Sequence, residues 1–282
     1  MTKVAVAGAT SLVGPSLMAG LNRLGVASVA LTRNITLHGE HDGIRWCAAG
    51  QQGEAPVWVC LMPIWGLPEI FAAMQSAGVR RVVALSSTSA DSKRNARSEQ
   101  DRQLALVLER GEQQLAAWAE RNGVEWVVLR TTLIHGDGRD RNVADIARWL
   151  SRWRLFPLAG GGRGLRQPLH VADVAEACLR LISRESLPCG VFNLVGGETL
   201  SYREMVLRIA NAQGRRCIML PVPCWVLRFS VLLLRVLPRY RHLSPDLADR
   251  MNADLVFDGT PLQTLLAWKA GNFVPQQLKL HT

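Results

Sequence analysis

Seven residues near the start of the chain have the types and spacing of a turn that binds the pyrophosphate of a dinucleotide. They follow the apolar segment Val4–Ala7 and read Gly8-Ala9-Thr10-Ser11-Leu12-Val13-Gly14. The first glycine permits a tight turn, and the last lets the following helix pack close to the strand. A strand, this turn and a helix in that order present backbone N–H groups and a helix N-terminus to a phosphate.

The middle position of this turn is Ser11 rather than glycine, and its hydroxyl group can donate a hydrogen bond to a phosphate oxygen. We therefore predict that a dinucleotide contacts six residues of the turn. These are Gly8, Thr10, Ser11, Leu12, Val13 and Gly14. The alternative is a plain tight turn that binds no ligand.

Arg33 follows the second predicted strand, Val26–Leu31. A carboxylate at this place would accept a hydrogen bond from the ribose 2′-hydroxyl group of NAD, whereas an arginine suits a 2′-phosphate. The residue therefore favours NADP over NAD as the cofactor. The alternative is an ordinary surface arginine in an arginine-rich chain.

Short apolar segments alternate with helical patterns over the first half of the chain. The predicted strands are Val4–Ala7, Val26–Leu31, Ile44–Cys47, Val57–Leu61, Val82–Leu85 and Trp126–Arg130, and the predicted helices are Pro15–Leu24, Leu67–Ala77 and Gln100–Asn122. This alternation predicts an α/β fold with a doubly wound parallel sheet that helices cover on both faces.

The pattern changes after Gly136. The sequence there predicts helices over Val143–Trp153, Val171–Ser183 and Leu200–Gln213, strands over Gln167–His170 and Val191–Leu194, and a mostly helical lobe from Pro221 onward. Ser201 and Glu204 have the spacing of a helix-capping box.

The composition is that of a soluble globular protein, with 48% hydrophobic and 20% charged residues among 282. Six scattered cysteines without a CxxC pair indicate free thiols in a reducing compartment. The start of the chain has no signal-peptide pattern, so we expect the protein in the cytoplasm. The net charge is +10, but the arginines are dispersed and no nucleic-acid-binding module is present, so no nucleic-acid partner is expected.

Further motifs follow in order along the chain. They are Leu31–Asn34, Val79–Ser87, Leu129–Gly136, His170–Ala175, Phe192–Gly197 and Ser201–Glu204. Together with the glycine turn they resemble the extended and atypical short-chain dehydrogenase/reductases, in particular the NAD-dependent epimerase/dehydratase group. The resemblance implies a Rossmann-type NAD(P)-binding domain over 1–198 and a small substrate lobe over 199–282. It also implies an oxidoreductase or epimerase acting on a small or nucleotide-linked substrate, with Leu61, Met62 and Ser86 beside the cofactor.

The chain departs from this family where the chemistry should occur. Relatives transfer a proton with a tyrosine whose pKa is lowered by a lysine one helical turn later, while a Ser or Thr orients the substrate oxygen. Ser87 and Thr88 can fill the orienting role. The helix Gln100–Asn122 should carry the pair, but it contains neither tyrosine nor lysine, and alignment through Glu112 places Leu104 and Leu108 there.

Two interpretations remain open. In the first, another group handles the proton; the candidates are His135, Asp137 and Glu99, and His135 is favoured because it follows a strand end. The alternative for His135 is a packing or substrate-binding role. In the second interpretation, the protein binds NADP as a scaffold, sensor or assembly partner without turnover.

Segment 221–241 is apolar but interrupted by Arg228 and Arg235, and it is too short to span a bilayer. Trp225 and the flanking Arg239 and Arg241 make it a candidate interfacial helix for peripheral membrane contact. The alternative is an ordinary pair of helices with apolar residues packed inside the lobe. A homodimer is also left open by the sequence.

Overall fold

The computed structural model describes residues 3–41, 44–140, 142–234 and 247–277. The strands are β1 Val4–Ala7, β2 Ser28–Leu31, β3 Gly39–His41, β4 Ile44–Cys47, β5 Val57–Cys60, β6 Arg81–Ser87, β7 Glu125–Thr131, β8 Ile134–His135, β9 Leu155–Ala159, β10 Leu165–Arg166, β11 Leu169–His170, β12 Gly190–Leu194, β13 Leu200–Ser201 and β14 Ile218–Val222. The α-helices are α1 Gly14–Arg23, α2 Phe71–Ser76, α3 Ser89–Ser92, α4 Glu99–Arg121, α5 Val143–Arg152, α6 Val171–Ile182, α7 Tyr202–Ala212, α8 Cys224–Leu234, α9 Leu247–Arg250 and α10 Thr260–Leu266.

Eight strands form one central sheet in the order β12-β7-β6-β5-β1-β2-β4-β3. All neighbours are parallel except the edge pair β3 and β4. β1 and β5 are buried along their whole length, which explains why they are continuous apolar segments. The chain runs from β1 outward to β2 on one side and later to β5 on the other. The carboxyl end of β1 is therefore a topological switch point, the place where open α/β sheets bind ligands.

The sheet has helices on both faces, as predicted. On one face, α2, α4 and the 3₁₀ helix Ile64–Ile70 pack over alternate strand residues such as Ala5 and Ala7. Phe71 of α2 stacks on Trp118 of α4 with ring centroids 4.4 Å apart. Elsewhere, α1 packs against α6, where Leu179 fills the space beside Gly20. The predicted fold class, a doubly wound α/β sheet, is confirmed.

The chain divides into two compact units. The first comprises Met1–Thr132, Val171–Val195 and Asp258–Lys269, and the second comprises Leu133–His170, Gly196–Phe257 and Ala270–Thr282. The whole eight-stranded sheet lies in the first unit. The two-part division into 1–198 and 199–282 stays a prediction.

The second unit contains three short strand pairs, β8 with β11, β10 with β13, and β9 with β14. Its core joins residues of α5, β9 and α7, among them Ile146, Leu158, Ile209 and also Phe273. Ser201 caps α7 by accepting a hydrogen bond from the backbone N–H of Glu204 at 3.1 Å, as the capping-box spacing predicts.

Two local differences from the predicted elements have a clear physical cause. The predicted helix Leu67–Ala77 is a 3₁₀ helix over Ile64–Ile70 followed by α2, because Pro68 lacks the N–H group that an α-helix interior requires. The strands β9 and β14 were not predicted, because each contains a proline, Pro157 and Pro221, which is typical of edge strands.

Segment 221–241 is described as far as Leu234, and Arg239 and Arg241 lie outside the described residues. Among the described residues, no helix combines the length and the apolar character needed to cross a membrane.

Candidate dinucleotide site

The glycine turn connects β1 to α1 at the switch point of the sheet. Gly8 has φ +82°, a left-handed conformation that side chains disfavour, and a Cβ atom there would lie 2.7 Å from the backbone N of Met62. The N–H of Ser11 donates to the carbonyl of Gly8 at 2.9 Å and closes the turn. Glycine is therefore required at this position both by the backbone conformation and by the close approach of the chain after β5.

The N-terminus of α1 has the features of an anion site. Within the described residues, no side chain caps it, and its first turn contains Pro15 and no acidic residue. Among the described residues, the positive end of the helix dipole thus has neither a side-chain cap nor an acidic residue in its own first turn.

Ser11 provides a second sign of a ligand. Its Oγ atom is buried and has no hydrogen-bond partner among the described residues. A buried hydroxyl group without a partner costs about 1–3 kcal/mol, and a hydrogen bond to a ligand oxygen would offset this cost. The tight backbone, the uncapped helix and this hydroxyl group together fit the pyrophosphate of a dinucleotide.

The other predicted cofactor residues lie at the same edge of the sheet. Arg33 is exposed two residues beyond the end of β2. Leu61 is buried, and its N–H donates to the carbonyl of Ala7 at 2.7 Å, which holds Leu61 and Met62 beside the glycine turn. Ser86 lies near the end of β6, the neighbour of β5.

The hydroxyl groups of Ser87 and Thr88 differ in whether their hydrogen is available for a hydrogen bond to a ligand. Thr88 Oγ1 donates to the carbonyl of Thr131 at 3.2 Å, so its hydrogen is used within the protein. Ser87 Oγ accepts a hydrogen bond from the N–H of Ser89 at 3.1 Å, and an acceptor bond leaves its hydrogen available. Ser87 is thus the better placed of the two to donate to a substrate oxygen.

A buried ion pair that the sequence analysis did not anticipate lies beside these residues. Glu112 of α4 is only 4% exposed, and it accepts hydrogen bonds from Ser86 Oγ at 2.5 Å and from Arg130 Nη2 at 2.6 Å. Arg130 also donates to Asp91 at 2.7 Å. The hydrogen bond that Arg130 donates to Glu112 is the main cause that raises the pKa of the Arg130 guanidinium. The network ties α3 and α4 to strands β6 and β7.

The expected position of the proton-transferring pair is occupied by core residues. Leu108 is 4% exposed and belongs to the apolar core under α4, and Leu104 is half-buried against the same core. These two leucines pack the helix onto the sheet and bring no ionisable group to it.

His135 lies in the second unit, on β8 opposite His170 of β11. Its ring is 3% exposed and stands edge-on to Phe273, with centroids 4.8 Å apart. Burial, and secondarily the neighbouring His170, lower the pKa of His135 to about 4. The imidazole is therefore neutral at pH 7, and a neutral imidazole is a weak proton donor.

The two remaining candidate donors are exposed and bonded to neighbours. Asp137 pairs with Arg139 at 2.7 Å, and Glu99, in the first turn of α4, accepts hydrogen bonds from Arg102 and Gln103. Both belong to local surface ion pairs or hydrogen bonds, which are weak and readily exchanged with water.

Comparison with known proteins shows what this chain is similar to. The model of the NAD dependent epimerase/dehydratase family matches residues 66–194. UDP-glucose 4-epimerase of Vibrio cholerae is 26% identical over 158 residues, which cover 56% of this chain and 46% of that protein, about half its length.

Two solved structures extend the likeness to the fold. UDP-N-acetylglucosamine 4-epimerase from Bacillus cereus has a TM-score of 0.71 at 16% identity, over 96% of this chain and 94% of that one. UDP-glucose 4-epimerase of Thermus thermophilus, in complex with NAD, has a TM-score of 0.59 at 19% identity, over 79% of this chain and 86% of that one. Residues 66–194 thus match the model of the NAD dependent epimerase/dehydratase family, and the chain has the Rossmann-type fold of these epimerases.

Proposed function

We propose that this protein binds a nicotinamide dinucleotide at the 8–14 turn and acts as an oxidoreductase or epimerase on a nucleotide-linked carbonyl or hydroxyl compound. The observation that carries the proposal is the turn itself, where Gly8, the unpartnered Ser11 hydroxyl group and the uncapped N-terminus of α1 meet at the switch point. The relatives named above act on UDP-sugars, so a nucleotide sugar is the first substrate class to test.

When bound, the cofactor supplies or accepts a hydride at a substrate carbon. The residues of the chain bind the cofactor and orient the substrate. The turn holds the phosphates, Leu61 and Met62 border the cofactor from the end of β5, and Ser87 donates to the substrate oxygen.

The proposed cofactor is NADP, and Arg33 carries this choice. Its exposed guanidinium group follows β2 on the same side of the sheet as the turn, and a guanidinium group can bind a 2′-phosphate through two parallel hydrogen bonds. The NAD in the Thermus thermophilus structure shows that this fold also accommodates the other cofactor, so the choice depends on this residue.

A second candidate function is a cofactor-binding protein without turnover, a scaffold or sensor. Leu104 and Leu108 favour it, because they pack into the core where relatives place the proton-transferring pair.

Calorimetric titration with NADPH and NADH tests the cofactor site. We expect micromolar binding of NADPH, and we expect Arg33→Ala to weaken NADPH by about tenfold or more while NADH changes by less than about twofold, since one charge-assisted phosphate contact is lost. Arg23→Ala, at an exposed arginine of the same unit, is the matched control and should change neither affinity. Equal weakening of both cofactors would contradict the 2′-phosphate assignment.

Turnover is tested by incubating the protein with NADP or NADPH and UDP-glucose or UDP-N-acetylglucosamine, and following the sugar by NMR. The proposed activity gives a change at a sugar carbon that Ser87→Ala slows by about tenfold or more. Cofactor binding with unchanged sugars would support the second candidate function for these substrates.

A further inference from the structure

The strand pair β9–β14 presents an apolar face to solvent. Leu155 lies opposite Ile218, and Pro157 lies opposite Leu220, in a parallel register that places partners on the same face. Leu155, Ile218 and Leu220 are 50%, 61% and 50% exposed. The alternate residues of β9 point the other way, into the core of the second unit.

Helix α8, which packs against β9 in the same unit, has a second exposed apolar face. Trp225, Phe229 and Leu233 are 71%, 60% and 58% exposed. Their spacing of four residues places them on one side of the helix. Leu227, which points to the core, is buried. Among the described side chains of α8, Leu227 thus faces the core, whereas Trp225, Phe229 and Leu233 face solvent.

Exposed arginines flank the apolar residues. Arg152 and Arg154 precede Leu155, and Arg215 and Arg216 precede Ile218. The two groups lie side by side, because the N–H of Ile218 donates to the carbonyl of Arg154 at 2.8 Å. The sequence contains no aspartate or glutamate from 146 to 172 or from 205 to 245. Positive charge thus lies beside the exposed apolar residues of β9 and β14, and neither strand contributes an acidic side chain to balance it.

We propose that β9, β14 and α8 form a binding surface for an anionic phospholipid membrane. Aromatic and aliphatic side chains enter the boundary between headgroups and acyl chains, and arginines beside them pair with lipid phosphates. Trp225 suits this boundary, since indole has an apolar body and one polar N–H group. A second copy of the chain would cover the same apolar residues only by bringing like-charged arginines together.

Flotation of the full chain with lipid vesicles tests the proposal. We expect binding to vesicles of phosphatidylcholine mixed with phosphatidylglycerol, much weaker binding to phosphatidylcholine alone, and release at high salt. The double variant Arg154→Gln/Leu155→Ser should bind about tenfold more weakly, since each arginine near an anionic surface contributes about a fivefold factor. Trp225→Ser/Phe229→Ser should bind more weakly by a similar factor.

Arg23→Gln/Leu24→Ser is the matched control. It changes an adjacent arginine and leucine at the end of α1, where the leucine is 52% exposed, and it should bind vesicles like the unaltered protein. Thermal unfolding of each variant shows that the fold is kept. Three results would overturn the proposal. They are absence of binding to anionic vesicles, equal loss in the control variant, and a dimer by light scattering that Arg154→Gln/Leu155→Ser dissociates without any vesicle binding.

Discussion

The turn at 8–14 and the helix α4 belong to the same unit, and their polar groups are used to different extents. Among the described residues, the turn has a left-handed glycine, a hydroxyl group without a hydrogen-bond partner and a helix N-terminus without a side-chain cap. In α4, Leu104 and Leu108 pack in the core, and Glu112 is bonded to Ser86 and Arg130. One region is arranged to receive a ligand, and the other is arranged to hold the sheet and the helix together.

This difference shows that one unit can combine a region with unused hydrogen-bonding groups and a region whose polar groups are bonded. The turn depends on backbone conformation, which few residues can replace. The packed part of α4 depends on its side chains, and Leu104 and Leu108 supply apolar contacts to the core. Substitutions in each region test whether the two regions differ as much as their contacts indicate.

The largest effect is expected from Gly8→Val, which should abolish cofactor binding in a calorimetric titration. Valine at φ +82° is strained, and its Cβ atom would lie 2.7 Å from the backbone N of Met62. Gly25→Val is the matched control, because Gly25 also has positive φ, +65°, but no atom lies within 4 Å of the added Cβ. Gly25→Val should lose stability and keep its affinity. Unchanged affinity in Gly8→Val would remove the turn from the proposed site.

Glu112→Ala should destabilise the protein by about 3–5 kcal/mol, measured by urea unfolding at pH 7, because it leaves the Arg130 charge partly buried without its main partner. Glu99→Ala, in the exposed ion pair with Arg102 on the same helix, should cost less than about 1 kcal/mol. Full stability of Glu112→Ala combined with weak cofactor binding would instead place the middle of α4 in the binding site and reduce the contrast between the two regions.

The variant His135→Gln tests whether His135, in the second unit, transfers the proton, since α4 contains neither tyrosine nor lysine. The pKa of the buried ring is about 4, below the usual value of about 6.5, so the unfolded chain binds more protons between these values. Above pH 6.5 the neutral ring makes its full contribution to the free energy of unfolding. This contribution is lost as the pH falls from 6.5 through 4. It amounts to about 3 kcal/mol, and His135→Gln should remove this part of the pH dependence of unfolding.

The same variant separates packing from catalysis. A neutral, enclosed imidazole predicts that His135→Gln leaves turnover nearly unchanged at pH 7. A loss of about 100-fold in turnover with unchanged cofactor affinity would instead show that His135 handles the proton.

The sequence predicts the central strands β1 and β5 of the first unit well, because they are buried along their whole length. Ile44–Cys47 is found with the predicted ends, and β1, β5, β7 and β12 lie within one residue of prediction at each end. The strands β9 and β14 lack such a signal, since their outward residues are as apolar as their inward ones and each contains a proline. Burial makes a strand recognisable, whereas an exposed apolar strand resembles any other apolar segment.

The candidate site likewise has one part that the sequence predicts and another part that it does not. The glycine turn is local, so its spacing is visible in the sequence. The Glu112 network joins residues 18 and 39 positions apart through strands that become neighbours only in the folded sheet. The sequence alignment of α4 uses Glu112, but no neighbouring residue in the sequence indicates that both Ser86 and Arg130 bond to it.

The packing of Leu179 against Gly20 has a consequence for synthesis on the ribosome. The helix α1 emerges early, but α6 and the strand β12 of the same unit are made only after the first stretch of the second unit, and α10 follows later still. At roughly 5–20 residues per second, the partner of α1 follows about ten to thirty seconds later. During this interval the sheet of the nascent chain is incomplete. The first unit can finish folding only after part of the second unit has been synthesised.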